Sequence, residues 1–300
     1  MRRAIALSLF FVFIPYSSPA ATNVRMQSLK ATTAITLSTD PNDQVSTLVT
    51  TPNSIVIAGT SAGDGFLTSF DRTGSNILWS LHFGGTSDDI ATTAIKDKVG
   101  NYWVAGATAV VPNLPPAPVI PEGTLNPSGV QPESSTAIPA LTQLDLWKVS
   151  AKGVLIKTYS TIMSNVIFPE QITFKNGIVT ISGAIASQPS DHFSISLETT
   201  GTFGSPRISS AKSLVSTGSK EIKTTLSLWK SYTTSSAIKG LPSWKPKPNS
   251  HVLIRSDLKT KAVIAAYLTS SEIIDFSWEK SLGIAVLLSN PNGYSLAIIK

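Results

Sequence analysis

The sequence predicts an all-β protein, and three observations support this prediction. Charged residues make up only 14% of the 300-residue chain. Short apolar segments rich in Val, Ile and Thr alternate with Gly, Asn and Asp, as in strands joined by tight turns. A strand motif that ends in a glycine also recurs along the chain. Together these features indicate repeated strands rather than helices.

The first residues have the order of a secretory signal peptide. Arg2 and Arg3 precede an apolar run from Ala4 to Ile14, and small residues up to Ala20 suit a signal peptidase. We therefore expect residues 1–20 to be removed and 21–300 to form a single secreted or extracytoplasmic domain, with an uncleaved anchor as the alternative. No later run reaches the ~20 apolar residues of a spanning helix, so we expect no further transmembrane segment.

Composition excludes several classes of protein. The chain has no cysteine, so disulfides, cysteine-bound zinc and cysteine redox chemistry are ruled out. The formal charge of +6 is modest, and the chain has the features of an exported protein, so we expect no nucleic-acid partner. A basic face is compatible with an anionic cell-surface polymer or with simple solubility.

A strand motif occurs three times, as NSIVIAGTSA, NYWVAGATAV and NGIVTISGAIAS. Its equivalent glycines lie 47 and 77 residues apart. They are Gly59, Gly106 and Gly183. A strand–turn–strand motif that starts at Asp64, Asp145 and Asp191 follows each copy. Its turn glycines are Gly74, Gly153 and Gly201. Both series give a period of 47–48 residues once a Pro-rich insertion, Val110 to Ala140, is removed from the second unit.

The repeat also explains a motif that would otherwise suggest a hydrolase. Gly59 to Gly63 matches the G-x-S-x-G pattern of esterases, in which the serine lies on a strand–turn–helix elbow. Here a second strand follows instead of a helix, so we predict that Ser61 is not catalytic. The chain also lacks an H-E-x-x-H zinc motif, and we assign no catalytic residue.

The period predicts a β-propeller of five four-stranded blades. An acidic residue precedes the first strand of each unit, at spacings of 46, 81, 51 and 51 residues. These acids are Asp43, Asp89, Glu170, Glu221 and Glu272. The last unit has room for three strands only, so we expect Lys30 to Ser38 to supply the fourth and to join both ends of the chain in one blade. Four or six blades, or two β-sandwiches, remain alternatives.

The second unit resembles the bacterial β-propeller repeat called the SBBP repeat. Phe83 to Thr108 contains a GG-T-x-DD opening and a later GN-x-W-V-x-G-x-T strand. Phe70 to Ser80 is similar to the D-x-x-TG-x-x-x-LW step of quinoprotein-type blades. The resemblance implies four strands per repeat and a secreted, ring-shaped domain, and it implies no particular chemistry.

Two groups of residues are candidate sites. The five acids at the strand starts could ring the central channel and bind Ca²⁺ or a sugar, or each could fix a turn within its own blade. Trp244, Lys245 and Lys247 lie in a Pro-rich loop of the fourth unit, where an aromatic ring among cations could bind a polymer. The alternative is that Trp244 packs against its own blade.

These observations favour a non-catalytic binding or scaffold protein, which we expect to be a monomer. Its partner would be a cell-envelope polymer or another protein. The alternative is a glycan-active hydrolase or lyase that uses carboxylates at the propeller axis. No cofactor is expected apart from a Ca²⁺ ion at the acidic ring.

Overall fold

The computed structural model describes residues 24–35, 43–111, 138–186, 188–210, 220–241, 243–291 and 293–300. The predicted signal peptide and residues 112–137 of the Pro-rich insertion lie outside these ranges. The described residues form strands and turns. Among them there is no helix with the length and apolar character to span a membrane.

Twenty-one strands are described. In chain order they are β1 (Met26–Ser28), β2 (Thr33–Ile35), β3 (Gln44–Thr50), β4 (Ser54–Ser61), β5 (Asp64–Asp71), β6 (Ile77–Phe83), β7 (Asp89–Lys96), β8 (Tyr102–Val110), β9 (Ala140–Val149), β10 (Leu155–Ile162), β11 (Ile167–Lys175), β12 (Ile178–Ile185), β13 (Gln188–Leu197), β14 (Arg207–Ser210), β15 (Glu221–Lys223), β16 (Ser227–Thr234), β17 (Ser250–Asp257), β18 (Val263–Thr269), β19 (Glu272–Glu279), β20 (Gly283–Asn290) and β21 (Gly293–Ile299).

The strands form five sheets, which are the blades of a five-bladed β-propeller. Blade 1 contains β3 to β6, blade 2 contains β7 to β10 and blade 3 contains β11 to β14. Blade 4 contains β15 to β18, and blade 5 contains β19 to β21 with β2. The predicted all-β class and blade count are confirmed, and the two-sandwich alternative is wrong.

The two ends of the chain meet in blade 5. Strand β2 pairs antiparallel with β21, with Thr33 opposite Leu296 and Ile35 opposite Tyr294. The predicted closure is therefore confirmed. Strand β1 was not predicted: it pairs parallel with β18, so that blade 4 has a fifth strand at its outer edge.

A bulge in the first strand explains the repeated glycine. Each glycine on the second strand lies opposite the residue that precedes the bulge. The pairs are Gly59 with Val45, Gly106 with Ala91, and Gly183 with Pro169. A Cβ atom on Gly106 would lie 1.8 Å from the carbonyl oxygen of Ile90, and one on Gly59 or Gly183 would lie 2.0 Å from a backbone oxygen. Any side chain there would collide with the bulged strand.

The second glycine series closes the turns between the third and fourth strands, as predicted. Gly74, Gly153 and Gly201 have φ angles of 77°, 79° and 85°, a region that favours glycine. Each donates its N–H to the carbonyl oxygen three residues earlier, at 2.9–3.0 Å. The repeat therefore fixes the same turn in three blades.

The core lies between neighbouring sheets. Blades 1 and 2 share an apolar cluster that includes Leu67, Phe83, Val104 and Trp147. Similar clusters join blade 2 to blade 3, blade 5 to blade 1, and blade 4 to blade 5. The side chains that face from one blade to the next thus hold these four interfaces together.

Candidate functional site

A cavity of about 370 Å³ lies between blades 1 and 2. One wall is the end of β6 and its connection to β7, from His82 to Ser87. The other wall is formed by the side chains of β8, β9 and β10 that face blade 1, among them Asp145 and Trp147. The cavity therefore continues the interface that the apolar cluster fills further along the strands.

Asp145 departs from the repeat. The glycine on the second strand lies opposite Phe66 in blade 1 and opposite Phe193 in blade 3, whereas Gly106 of blade 2 lies opposite Asp145. Phe66 and Phe193 are 2% and 1% exposed, and Asp145 is 3% exposed. Blade 2 thus buries a carboxyl group where two other blades bury a phenyl ring. Because aspartate is the smaller residue, this exchange leaves space in the interface.

Polar side chains surround Asp145. Nε2 of Gln143 donates to its two carboxylate oxygens at 3.1 and 3.0 Å. The hydroxyl of Ser160 donates to Oδ1, and the hydroxyl of Thr108 contacts Oδ2. Such partners are what a buried carboxylate requires. Three strands of blade 2 therefore contribute to one polar group of side chains.

Thr108 joins Asp145 to a second buried carboxyl group. Its hydroxyl oxygen also contacts Oδ1 of Asp89, which is 4% exposed. A threonine hydroxyl has one proton and can donate to only one of these two oxygens. The other close contact therefore needs a further proton, either on a carboxyl group or from a ligand.

The surroundings of Asp89 raise its pKa above the ordinary aspartate value. Burial is the largest cause, and the Asp145 and Asp64 carboxylates add to it, while hydrogen bonds from Thr108 and from the Gly85 amide act in the opposite direction. The Gly85 amide nitrogen lies 3.3 Å from Oδ2 of Asp89. Asp89 thus combines burial with two neighbouring like charges, which both favour its protonated form.

A third carboxylate approaches at Gly84. Oδ1 of Asp64 and Oδ2 of Asp89 lie 2.5 and 2.9 Å from the position that a Cβ atom on Gly84 would take. Within the described ranges, the ion pairs formed by lysine, arginine or histidine involve other acids. Among those same residues there is no group of three or more His, Cys, Asp or Glu side chains that could hold a metal ion.

An aromatic pair lies beside the carboxyl groups. The rings of Phe83 and Trp147 stack with centroids 4.6 Å apart and planes inclined by 10°. Both residues line the cavity. The cavity therefore has an aromatic wall next to a polar end, which is a common composition for a small-molecule site.

The five acids of the predicted axial ring occupy different strand positions. In blades 1 and 2 the acid, Asp43 or Asp89, lies two residues before the last paired residue ahead of the bulge. In blade 5, Glu272 lies one residue before that point. In blade 3, Glu170 is itself the bulged residue. Glu221 opens β15 opposite Lys230. Asp89 lines the cavity and the other four acids do not. A cation on the axis stays a prediction.

The Trp244 loop lies on blade 4. Trp244 is partly buried and packs against the cluster of Leu241, Val252 and Ile254. Lys245 and Lys247 are exposed. The ring thus contacts the blade, as in the packing alternative, and polymer binding by this loop remains a prediction.

Sequence reasoning aligned Asp145 with Asp64 and Asp191 and so did not identify the exchange. The strand register shows that Asp145 corresponds instead to residues two positions later, Phe66 and Phe193. The signal was present in the spacing, since the turn glycine follows Asp145 by 8 residues and follows the other two aspartates by 10. Thr108 was noted only as the last residue of the repeat motif, and Gln143 and Ser160 gave no signal in the sequence.

Comparison with known proteins gives no family. No family model matches the chain, and no curated protein matches it. A crystal structure of glucose dehydrogenase is 9% identical, covers 91% of this chain and 99% of its own, and has a TM-score of 0.46. An exo-β-1,3-galactanase from Phanerochaete chrysosporium is 8% identical over 90% of this chain and 64% of its own, with a TM-score of 0.44. A protein of unknown function from Bacteroides caccae is 12% identical over 77% of this chain and 83% of its own, with a TM-score of 0.31. Structural similarity at these TM-scores and identities carries no information on the function of this protein.

Proposed function

We propose that this protein is an exported, non-catalytic binding propeller, and that the cavity between blades 1 and 2 holds a unit of a cell-envelope polysaccharide. The observation that carries the proposal is the exchange at Asp145. A buried carboxylate is less favourable for folding than the phenylalanine that occupies the same position in blades 1 and 3. Departures of this kind from a protein's own pattern are expected at functional sites.

The chemistry of the cavity suits a polyhydroxylated ligand. Sugar hydroxyls need both acceptors and donors, which the carboxyl groups of Asp89 and Asp145, the amide of Gln143 and the hydroxyls of Thr108 and Ser160 provide. The Phe83–Trp147 wall offers an apolar surface to a sugar ring. A cavity of about 370 Å³ is within the usual range for small-ligand pockets.

The arrangement favours binding over hydrolysis. Glycosidases hold their two carboxyl groups about 5–10 Å apart with the scissile bond or a water between them. Here the hydroxyl of Thr108 occupies the space between Asp89 and Asp145. Two nearby carboxyl groups, one of them with a raised pKa, still make a glycan-active enzyme the second candidate.

One experiment separates these candidates. The purified protein is incubated with a panel of cell-envelope polysaccharides, and retention on each polymer and release of small sugars are measured in the same tubes. Asp145→Phe restores the residue type of the other blades and fills the cavity. Glu279→Gln, which neutralises an acid on β19 of blade 5, is the matched control.

We expect at least one polymer to retain the wild-type protein and the control without release of product, and we expect Asp145→Phe to lose retention. Product release that disappears in Asp89→Asn would replace the binding role by the enzymatic one. Equal retention of Asp145→Phe and wild type would show that the cavity is not the binding site. No retention and no product would favour a protein partner.

A further inference from the structure

We propose that the sugar unit held between blades 1 and 2 carries a protonated amine, so that the cavity selects amino sugars over neutral or N-acetylated ones. This inference rests on the proposed function, because it names the ligand class of the same cavity.

The charge of the cavity favours a cationic ligand. Two buried carboxyl groups, those of Asp89 and Asp145, line the cavity, and the Asp64 carboxylate approaches Asp89 at Gly84. The ion pairs in the described part of the chain involve other acids. Placing like charges together at buried positions is unfavourable unless a cation or a proton compensates them. A cationic ligand is the compensation that a binding site would use.

The carboxylate oxygens of the cavity outnumber the protons that their neighbours can donate. The oxygens of Asp89 and Asp145 that face Thr108 both contact its single hydroxyl, and one proton cannot serve both. An ammonium group carries three donors and no acceptor, so it can supply the second proton when both carboxyl groups are ionised. A neutral sugar hydroxyl brings one proton together with its own lone pairs, and an N-acetyl group is bulkier and uncharged.

The aromatic wall of the cavity also suits an amino sugar. The stacked rings of Phe83 and Trp147 border the same cavity as the two carboxyl groups. Phe83 and Trp147 are 2% and 4% exposed, so they offer a small apolar contact to a sugar ring rather than an open aromatic face. A pyranose that carries an amine therefore matches both parts of the cavity at once.

A bare metal ion fits these residues less well. Calcium requires six to eight oxygen ligands, and the described residues contain no group of three or more His, Cys, Asp or Glu side chains that could hold a metal ion. An ammonium group, which is itself a donor, needs fewer oxygens.

Isothermal titration calorimetry of the purified protein tests the inference. The probes are a glucosamine oligomer, the N-acetylglucosamine oligomer of the same length, a glucose oligomer and CaCl₂. We expect the glucosamine oligomer to bind about 10- to 100-fold more tightly than the other two sugars, as for a charged hydrogen bond worth about 1.5–3 kcal/mol. We expect CaCl₂ not to compete with it.

The isosteric variant Asp145→Asn should weaken binding of the glucosamine oligomer about 10-fold or more and leave the weak binding of neutral oligomers unchanged. Glu279→Gln is the control and should bind like the wild type. If Asp145→Asn does not fold, Asp89→Asn provides the same test from the other side of Thr108.

The outcomes separate this inference from the function on which it rests. Equal affinity for the glucosamine and N-acetylglucosamine oligomers would overturn the amine selectivity while a saccharide site remained. Retention of the protein on polymers without amines, together with no binding of the glucosamine oligomer, would also overturn the amine selectivity. No binding of any saccharide, in calorimetry or on polymers, would overturn both proposals. Competition by CaCl₂ would replace the amine by a metal ion.

Discussion

Asp275 of blade 5 binds the backbone of Leu48 in blade 1. Its Oδ2 accepts the Leu48 amide at 2.7 Å and the Thr47 hydroxyl at 3.0 Å. Oδ1 accepts the Phe276 amide at 2.8 Å and forms an ion pair with Nζ of Lys220 at 2.5 Å. Because blades 5 and 1 are the ends of the series, this carboxylate links the two sides of the ring closure.

We expect Asp275→Ala to lower the free energy of unfolding by about 3 kcal/mol, since it leaves buried donors and the Lys220 ammonium without their acceptor. Urea unfolding followed by fluorescence measures the change. Glu272→Ala, which removes an exposed acid from the same strand, is the control and should change stability by less than about 0.5 kcal/mol. Similar losses in the two variants would contradict this role for Asp275.

Gly106→Ala should destabilise the protein by about 3 kcal/mol or more, because a Cβ atom would lie 1.8 Å from the backbone oxygen of Ile90. Gly85→Ala is the matched control, since a Cβ atom there meets no atom within 4 Å. Thermal melts of the two variants check the prediction. A Gly106→Ala variant with wild-type stability would show that the bulge does not require glycine.

Much of this fold could be predicted because the repeat is local. The glycines that permit the bulges and turns recur at a fixed period in three units, and the spacing of the five acids extended that period to five blades with a shared last blade. Strand β1 could not be predicted, because Met26–Ser28 is a three-residue segment whose pairing depends on the distant strand β18. The five acids do not occupy one position, because their distance from the bulge differs from blade to blade and β15 has no bulge.

The site was only partly predictable. Asp89 was identified because it begins an inner strand. Its partner Asp145 was aligned by residue type with Asp64 and Asp191, although its distance to the turn glycine is that of Phe66 and Phe193. That choice moved the apparent repeat by two residues, and pairing the strands corrected it.

Asp97 should stabilise the β7–β8 turn above acidic pH. Burial acts to raise its pKa, but hydrogen bonds from the Trp103 indole, at 3.0 Å, and from the Asn101 amide, at 2.8 Å, hold the pKa below its ordinary value. The carboxylate therefore contributes stability above the unfolded pKa of about 3.9, and this contribution is lost as the pH falls toward the lower folded pKa. Asp97→Ala should lose about 1 kcal/mol at pH 7.

Urea unfolding at pH 7 and pH 3 checks the contribution of Asp97. The difference between wild type and Asp97→Ala should be smaller at pH 3, which lies below the unfolded pKa of about 3.9, so that part of the carboxylate contribution is lost. A difference that stays constant with pH would show that the carboxylate charge does not contribute.

Asp89 should have the opposite dependence on pH. Its pKa is raised, so its charged form opposes folding, and this penalty develops as the pH rises from about 3.9 through the raised folded pKa. The titratable groups near it are Asp145 on β9, Asp64 on β5 and His82 on β6. Relative to wild type, Asp89→Asn should therefore gain stability between pH 4 and pH 7. A stability difference that decreases over this range would contradict the raised pKa.

The most direct test of the account is a crystal structure of the protein soaked with a glucosamine oligomer. The account predicts one sugar unit between blades 1 and 2, with its amine nitrogen within hydrogen-bonding distance of Asp89 and Asp145 and its ring near Phe83 and Trp147. Sugar density at the Trp244 loop or at the central axis, with the cavity between blades 1 and 2 unoccupied, would contradict it.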